Sequence, residues 1–435
     1  MRKNPDVLVI GGGAVGVCSA YYIAQKGLRV ALVEKEQVAS GCSGANAGLI
    51  VPSYCIPLAN PEAFRSGVKS LFQPCGPFAI KPRPDPDLFR WMWQFRKASQ
   101  PERMQKAIPL LRELNYESFR LLQELIATES LPCQFRQVGW LVVCNTPEEF
   151  GKARENAALL GAHKIESKIL GPEESLEMEA TLHPKISGSV FYPDDAHFEP
   201  KEFVRSLAKR LRDRRVHVQE KAEVLRIEAT KNMIKTVHTT RGDYRPQQVV
   251  LAAGFWTRGL MKSLRVRLPV QSAKGYCISV KKPGSSPSLP LYFSDVKVAA
   301  TPLSEVVRFA GMLEVSRMDL KTPRPRVDRI LRAGEGYLNS PEKWDVVEIR
   351  AGLRPCTPDG LPIIERSSTV DNLIIATGHG MLGITQAPIT GKLVSQIVSY
   401  QSPDVNLASY RLSRFSMKGG LDERFRSSHG SFQER

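Results

Sequence analysis

A glycine-rich turn near the start of the chain limits the possible folds more than any other feature. An apolar strand, Asp6–Ile10, leads into the pattern Gly11-x-Gly13-x-x-Gly16, and a helical stretch follows. Gly11 permits the tight turn, Gly13 lets a pyrophosphate approach the main chain, and Gly16 lets the helix pack on the strand. The helix N-terminus would then face the phosphates with its positive dipole end.

The sequence after this helix supplies the rest of a dinucleotide-binding βαβ unit. A second apolar strand, Arg29–Val33, is closed by Glu34. A carboxylate at this point can accept hydrogen bonds from ribose hydroxyls. The glycine pattern alone would also suit an ordinary turn. With two strands, a helix and an acid in the right order, it predicts a bound dinucleotide.

Length and composition are ordinary for a soluble globular protein. The 435 residues allow two domains, and 42% are hydrophobic and 24% charged. No run of eighteen apolar residues occurs, and the first apolar stretch is too short for a signal peptide, so a cytoplasmic location is expected. The eight cysteines lack zinc or iron–sulfur spacing, so no metal site is predicted.

The net charge of +17 is unusual. It would suit a nucleic-acid partner, an acidic membrane surface or a solvated basic exterior. The basic residues are dispersed, with modest clusters at 209–215 and 321–332, and no RNA-binding motif accompanies them. A solvated basic exterior is the favoured interpretation, and no nucleic-acid partner is predicted.

Strand and helix patterns alternate at the start, middle and end of the chain, whereas 270–313 has the pattern of an antiparallel sheet. This predicts an α/β fold in which a Rossmann-type domain is discontinuous and an α+β substrate domain is inserted into it. The predicted dinucleotide-binding domain comprises 1–58, 196–265 and 356–411. The substrate domain comprises 59–195 and 266–355, and a disordered tail is expected at 412–435.

Three further segments carry a more specific signal than the first turn. They are the small-residue loop Ser40–Gly48, the strand end Ala252-Ala253-Gly254, and the turn Thr377-Gly378-His379-Gly380. With the glycine pattern they resemble the D-amino-acid oxidase superfamily of flavoenzymes, from about Asp6 to Tyr410. Within it, the chain looks most like the D-amino-acid dehydrogenases, with glycine and sarcosine oxidases as near relatives.

The resemblance implies FAD as the cofactor. Cys356 lies near the cysteine that tethers flavin in some relatives but not on the matching position, so the expected binding is non-covalent. The residues expected to contact FAD are Gly11, Gly13, Ala14, Val15, Gly16, Glu34, Lys35, Ser40, Ser43, Asn46, Ala47, Gly48, Leu49, Val224, Ala253, Gly254, Trp256, Gly378, Gly380, Met381, Leu382, Gly383, Ile384 and Thr385.

The resemblance also places a substrate site. Arg354, in Gly352-Leu353-Arg354-Pro355, corresponds to an arginine that makes a two-point contact with a substrate carboxylate, a role that suits a planar guanidinium. The alternative is an arginine paired to a structural acid. Tyr292, Glu314 and His379 are further candidates for substrate or flavin contact, with packing as the alternative. Met381 stands where glycine-oxidase relatives carry a second arginine.

The implied reaction is oxidative deamination of a small amino acid, with hydride transfer from Cα to flavin N5. Electrons would pass to a quinone or another acceptor, and oxygen remains an alternative. Two other functions stay open: a glycine-, sarcosine-, proline- or hydroxyproline-type amine oxidase or dehydrogenase, and a flavin-dependent tRNA-modifying protein.

An aromatic stretch among basic residues either docks peripherally on a membrane or packs on the substrate domain. Its members are Phe64, Leu71, Phe72, Phe78, Phe89, Trp91, Trp93 and Phe95.

Overall fold

The computed structural model describes residues 4–70, 76, 78–81, 83–315, 318–339 and 344–416. Leu71, Phe72 and Cys75 lie outside these ranges, as does the predicted tail from residue 417 onward. The strands are β1 (Val7–Ile10), β2 (Val30–Val33), β3 (Leu49–Ile50), β4 (Phe78–Ile80), β5 (Trp140–Cys144), β6 (Lys168–Leu170), β7 (Gly188–Tyr192), β8 (Ala196–His197), β9 (His217–Gln219), β10 (Val224–Thr230), β11 (Met233–Thr239), β12 (Gly242–Tyr244), β13 (Gln248–Leu251), β14 (Gln271–Lys281), β15 (Leu291–Phe293), β16 (Val298–Pro302), β17 (Val306–Val315), β18 (Val346–Cys356), β19 (Ile363–Arg366) and β20 (Leu373–Thr377).

The helices are α1 (Ala14–Gln25), α2 (Pro61–Ser70), α3 (Pro86–Ala98), α4 (Pro101–Glu129), α5 (Pro147–Gly161), α6 (Pro172–Met178), α7 (Pro200–Asp213), α8 (Thr257–Ser263), α9 (Arg324–Tyr337) and α10 (Ala387–Val398). Short 3-10 turns lie at Gly254–Trp256, Leu407–Tyr410 and Leu412–Phe415.

The first sheet has the strand order β19-β20-β13-β1-β2-β9. All its neighbouring strands run parallel except β19, which pairs antiparallel with β20. Strands β1 and β2 are apolar and buried along their whole length because both faces of the sheet are covered. Helix α1 packs against α7 and α10 on one face, and the antiparallel sheet β10-β11-β12 contributes to the core on the other. The predicted Rossmann-type sheet is confirmed.

The second sheet has nine strands in the order β18-β14-β17-β16-β15-β5-β7-β6, with β4 added beside β17. Its pairs are antiparallel except β15 with β5 and β17 with β4. Helix α9 packs on β14, β16 and β17, and together they bury an apolar cluster. The predicted mixed α/β class with an antiparallel sheet is therefore confirmed, whereas the exact domain limits stay a prediction.

The aromatic stretch contains α2, β4 and α3, although its sequence shows little periodicity. Trp91 and Phe95 on α3 stack with ring centroids 5.0 Å apart, and Trp91 Nε1 donates to the carbonyl of Cys356 at 3.0 Å. Phe78 belongs to the same buried cluster. Phe89 and Trp93, four residues apart on the opposite face of α3, are 62% and 47% exposed. The stretch therefore packs internally and also leaves one exposed aromatic pair.

The described residues lack two features, a membrane-spanning helix and a cluster of metal ligands. None of their helices combines the length and apolar character that crossing a bilayer requires. No group of three or more His, Cys, Asp or Glu side chains among them is placed to hold a metal ion.

Candidate active site

A continuous cavity of about 990 Å³ extends from the first βαβ turn to the nine-stranded sheet. At one end it is lined by the turn before α1, by Glu34 at the end of β2, and by the loop that includes Ser43. At the other end its walls include Tyr54, Trp140 and Arg354. A cavity of this size can hold a large ligand together with a small one beside it.

Two glycines of the first turn leave no room for any side chain. Gly11 has φ of +117°, and a Cβ there would lie 2.5 Å from the carbonyl oxygen of Ala252 at the end of β13. A Cβ at Gly16 would overlap the carbonyl oxygen of Gly11. These contacts hold α1 close to β1 and β13, so that the helix N-terminus opens directly into the cavity.

Polar groups around this helix end suit a pyrophosphate and a ribose. Gly13 caps α1 without a side chain, and Ser43 Oγ accepts from the Ala14 amide at 3.0 Å. The Glu34 carboxylate accepts from the amides of Gly12 at 2.6 Å and Glu36 at 3.0 Å. Each of its oxygens has a further lone pair that can accept from a ribose hydroxyl.

Most of the residues predicted to contact FAD meet at the wall of this one cavity. Lys35 Nζ lies 3.9 Å from the centroid of the Trp256 ring, so two of the predicted residues that are far apart in sequence are in contact. The predicted residues in the cavity wall are Gly11, Gly13, Ala14, Val15, Glu34, Lys35, Ser40, Ser43, Asn46, Ala47, Leu49, Val224, Ala253, Gly254, Trp256, Gly380, Met381, Leu382, Gly383 and Ile384.

The other four predicted residues, Gly16, Gly48, Gly378 and Thr385, are not in the cavity wall. A Cβ at Gly48 would lie 2.7 Å from the carbonyl oxygen of Phe198, and Gly378 has φ of +83°. Thr385 Oγ1 accepts from the Val51 amide at 3.4 Å, and α10 begins two residues later. These four residues lie behind the residues of the cavity wall and support them.

The guanidinium of Arg354 is free of carboxylate partners among the described residues, where it forms one hydrogen bond. Its Nη1 donates to the carbonyl oxygen of Met312 at 2.8 Å. The guanidinium lies over Gly275 of the neighbouring strand β14, where any Cβ would overlap it. Since no structural acid neutralises it, this half-buried cation in the cavity wall is available to an anionic ligand.

A bulge in β17 places the carbonyl that holds Arg354. Between the pairs Lys274–Glu314 and Tyr276–Gly311, β17 contains one residue more than β14. Met312 within this bulge has φ of +65°, a conformation that is uncommon for a residue other than glycine. This local backbone strain lies at the residue whose carbonyl group accepts the hydrogen bond from Arg354.

Aromatic rings form the wall beyond Arg354. Trp140 is central, with ring centroids 5.4 Å from Tyr292, 6.2 Å from Tyr54 and 6.3 Å from Tyr192. All four side chains line the cavity. Burial raises the pKa of Tyr292 and of Tyr54, so both phenols remain neutral hydrogen-bonding groups. The predicted cavity position of Tyr292 therefore agrees with the structure.

His379 lies in the cavity wall as a neutral, fixed side chain. It is 4% exposed, and its Nε2 is 2.9 Å from Thr390 Oγ1. Burial lowers its pKa to about 3, so it carries no charge at neutral pH. Its position in the wall is compatible with the predicted contact with flavin or substrate. Its low pKa makes it unsuitable as an acid or a base near pH 7.

Among the residues predicted to contact the substrate, Glu314 is the one that the structure places away from the cavity. Its side chain is 1% exposed and pairs with Arg326 at 2.8 Å and with Lys81 at 3.5 Å, while the hydroxyl of Tyr276 donates to it at 3.0 Å. The bulge at Met312 shifts the alternation of β17, so that Glu314 joins a buried ionic cluster. The expected contact between Glu314 and a substrate amine is therefore corrected to a structural role.

Sequence reasoning missed several residues in or behind this wall. Ser53, Tyr54, Trp140 and Lys297 line the cavity, and Gly275 makes room for Arg354. The need for glycine becomes visible once the pairing of Gly275 with Gly352 is known.

Comparisons with known proteins identify the family of the chain. A family model described as FAD dependent oxidoreductase matches residues 6–397. The chain is 29% identical over 424 residues to a D-amino acid dehydrogenase of Vibrio atlanticus, covering 94% of this chain and 100% of that protein. It is 31% identical over 426 residues to a D-amino acid dehydrogenase of Neisseria meningitidis, covering 94% and 99%.

Two solved structures share the fold. A glycine oxidase from Geobacillus kaustophilus superimposes with a TM-score of 0.77 at 22% identity, covering 94% of this chain and 99% of that one. An L-proline dehydrogenase from P. horikoshii gives a TM-score of 0.73 at 19% identity, with coverage of 95% and 98%.

Proposed function

Because the chain belongs to the DAO family of FAD-dependent oxidoreductases, we propose that it oxidises small α-amino acids, D-amino acids foremost, to imino acids. FAD is its cofactor. Water then hydrolyses the imino acid to a keto acid and ammonia. The D-amino acid dehydrogenases to which the chain is similar along nearly its whole length support this substrate class.

The observation that carries the proposal is the guanidinium of Arg354 in the cavity wall, which has no carboxylate partner among the described residues. A substrate carboxylate can accept from it in a two-point contact, which fixes orientation as well as charge. Gly275 and the Met312 carbonyl hold the guanidinium in place before any ligand arrives. Pre-organised positioning of this kind contributes strongly to rate because little ordering remains to be done during the reaction.

The residues present fit FAD at the other end of the cavity. The α1 N-terminus and Ser43 would hold the pyrophosphate, Glu34 the adenosine ribose, and the 380–384 turn the flavin end. When bound, FAD supplies the acceptor for the hydrogen that leaves the substrate Cα. Arg354 and the aromatic wall orient the substrate and exclude water from its apolar part.

Non-covalent attachment of FAD is supported by Cys42, which lines the cavity, and by Cys356, which stands near the position of the flavin-tethering cysteine of some relatives. Burial raises the pKa of Cys42, and it raises the pKa of Cys356 to about 12. Both thiols therefore stay protonated near pH 7, and a protonated thiol is a poor nucleophile. Acid precipitation is expected to release all the flavin into the supernatant.

The electron acceptor that we propose is a quinone or a similar carrier, reached at the membrane surface. Phe89 and Trp93 project from α3, and Arg96 and Lys97 beside them are exposed. An aromatic pair flanked by cations suits the interface of an anionic membrane. The net charge of +17 adds a general attraction to the same surface.

The test is a panel of D- and L-amino acids, glycine, sarcosine, proline and hydroxyproline, with an artificial electron acceptor and with oxygen alone. We expect several small D-amino acids to bleach the flavin anaerobically and to turn over faster with the dye than with oxygen. If no compound in the panel bleaches the flavin, the proposal is wrong. Preference for glycine or sarcosine would favour an amine oxidase instead.

A further inference from the structure

We propose that Ser53 and Asp195 form a proton relay that removes a proton from the substrate ammonium group before the Cα–H bond breaks. The inference rests on the proposed oxidation of amino acids. It assigns a role to a buried carboxyl group that FAD binding and carboxylate recognition leave unused.

Ser53 connects the cavity to this buried carboxyl group. Ser53 lines the cavity but is itself only 2% exposed. Its amide donates to Asp195 Oδ1 at 3.0 Å, and its hydroxyl donates to Asp195 Oδ2 over a short distance. Asp195 is 0% exposed, so the serine hydroxyl is its connection to the site.

The loop that carries Ser53 is fixed on its other side as well. Asn115 Nδ2 of helix α4 donates to the carbonyl of Tyr54 at 3.3 Å, and Gln386 Nε2 donates to Asn115 Oδ1 at 2.9 Å. Asn115 is fully buried. The position of Ser53 relative to the cavity is therefore set by buried hydrogen bonds from both sides.

The surroundings of Asp195 favour its protonated form. Among the described residues no basic side chain forms an ion pair with it, and the groups that face it are Asp194, Tyr116, Tyr192 and Cys55. Burial is the main influence and the neighbouring Asp194 adds to it, so that the pKa of Asp195 rises to about 8 against the opposing hydrogen bonds from Ser53. An aspartate with its usual pKa would be too weak a base for this task.

The chemistry requires such a base. An α-amino acid arrives with its amine protonated, and the nitrogen lone pair must be free before it can form the imine double bond. In the relay, the ammonium N–H bond breaks as its proton passes to Ser53 Oγ, while the Ser53 hydroxyl proton passes to the ionised Asp195. The products are a neutral amine, an intact serine and a protonated Asp195, so charge and atoms balance.

Four further ionisable groups that line the cavity, those of His379, Glu62, Tyr54 and Tyr292, are poorly suited to the task. His379 has a pKa of about 3. Glu62 is solvent-exposed and paired with Lys297 at 3.4 Å. Burial raises the pKa values of Tyr54 and Tyr292, so neither phenol is an acceptor as a phenolate.

The test is the pH dependence of anaerobic flavin reduction in the holoenzyme, from about pH 6 to about pH 10. In the wild type the rate should rise through a single ionisation near the Asp195 pKa and then level off. In Asp195→Asn and Ser53→Ala the rate at pH 7 should fall by about tenfold or more. It should recover at high pH, where the substrate itself arrives as the free amine.

Asp194→Asn is the matched control, since it removes a neighbouring carboxyl group that bonds Tyr116 rather than Ser53. Loss of its charge should move the ionisation of Asp195 to lower pH and leave the plateau in place. If Asp195→Asn and Ser53→Ala both keep the wild-type profile, even at a uniformly lower rate, the relay is wrong. If no amino acid reduces the wild-type enzyme at any pH, the proposed function fails, and the relay fails with it.

A readout independent of activity follows from the same ionisation. The folded protein holds the Asp195 proton up to about pH 8, whereas the unfolded chain releases it near pH 4. As the pH rises between these two values, the free energy of unfolding of the wild type should therefore decline relative to that of Asp195→Asn. A constant difference in melting temperature across this range would also overturn the relay. Ser53→Ala serves as the kinetic test if Asp195→Asn folds poorly.

Discussion

Arg354 is the single residue on which substrate recognition depends most. Arg354→Ala should raise KM strongly while FAD stays bound, with a loss of roughly a hundredfold in kcat/KM, or about 3 kcal/mol, from the missing charged hydrogen bonds. Arg350→Ala is the control, because Arg350 lies on the same strand but pairs with Glu348 at 2.6 Å. Equal kinetics of wild type and Arg354→Ala would exclude the anchoring role.

Gly275 offers a second test that leaves every charge in place. Gly275→Ala would put a methyl group where the guanidinium of Arg354 lies. The arginine must then move, so KM should rise in the same direction as in Arg354→Ala. A matched control is Gly151→Ala in α5, where a Cβ meets nothing within 4 Å and kinetics should stay unchanged. A normal KM in Gly275→Ala would show that the guanidinium position is not critical.

The sequence alone was enough to single out residues whose predicted role follows from their own chemistry and their place in a motif. Gly11, Glu34 and Arg354 are of this kind, and all three line the cavity. Ser53 and Gly275 escaped notice because their importance depends on pairing with residues far along the chain. Glu314 was assigned to the site for a related reason, since a one-residue bulge in β17 decides on which side of the strand it lies.

Among the elements, several helices that begin with proline escaped the sequence analysis. Helices α2, α3, α5 and α6 are of this kind, and none of them was predicted. In the structure Asp85 caps α3 by accepting from the amides of Asp87 and Leu88, directly before Pro86. Proline suits the first turn of a helix because the N–H group that it lacks would be unpaired there. An Asp-Pro or Thr-Pro pair followed by apolar residues at helical spacing was the sequence signal that could have predicted α3 and α5.

Helix α3 carries the proposed membrane contact. The double variant Phe89→Ser/Trp93→Ser should lose most of its sedimentation with anionic phospholipid vesicles while keeping dye-linked activity, since neither side chain lines the cavity. Binding of the wild type should weaken as salt rises, because Arg96 and Lys97 contribute electrostatic attraction. Tyr400→Ser, which changes an exposed aromatic residue after α10, is the control. Wild-type protein that stays in the supernatant would contradict the proposal.

The whole molecule should depend on its cofactor for stability. The FAD end of the cavity draws on β1, β2, β13 and the turn after β20, so a bound dinucleotide would contact segments from distant parts of the chain. Free FAD at a hundredfold its Kd should stabilise the fold by about 2.7 kcal/mol, seen as a higher Tm than that of the apoprotein. ADP should recover part of this gain. A Tm that does not respond to FAD would contradict the cavity assignment.

The interleaving of the two sheets also has a consequence for how the chain is made. In the first sheet β1 lies between β2, which starts at Val30, and β13. Strand β20, which pairs with β13, starts only at Leu373 of the 435-residue chain. At ~5–20 residues per second, the ribosome needs tens of seconds to deliver β20 after β1. Until β20 is available, the edge of β13 that pairs with it has no neighbouring strand, and unpaired apolar strand edges can associate with other chains. Slow translation, chaperone supply and temperature should therefore govern how much of this protein reaches the flavin-binding form in a cell.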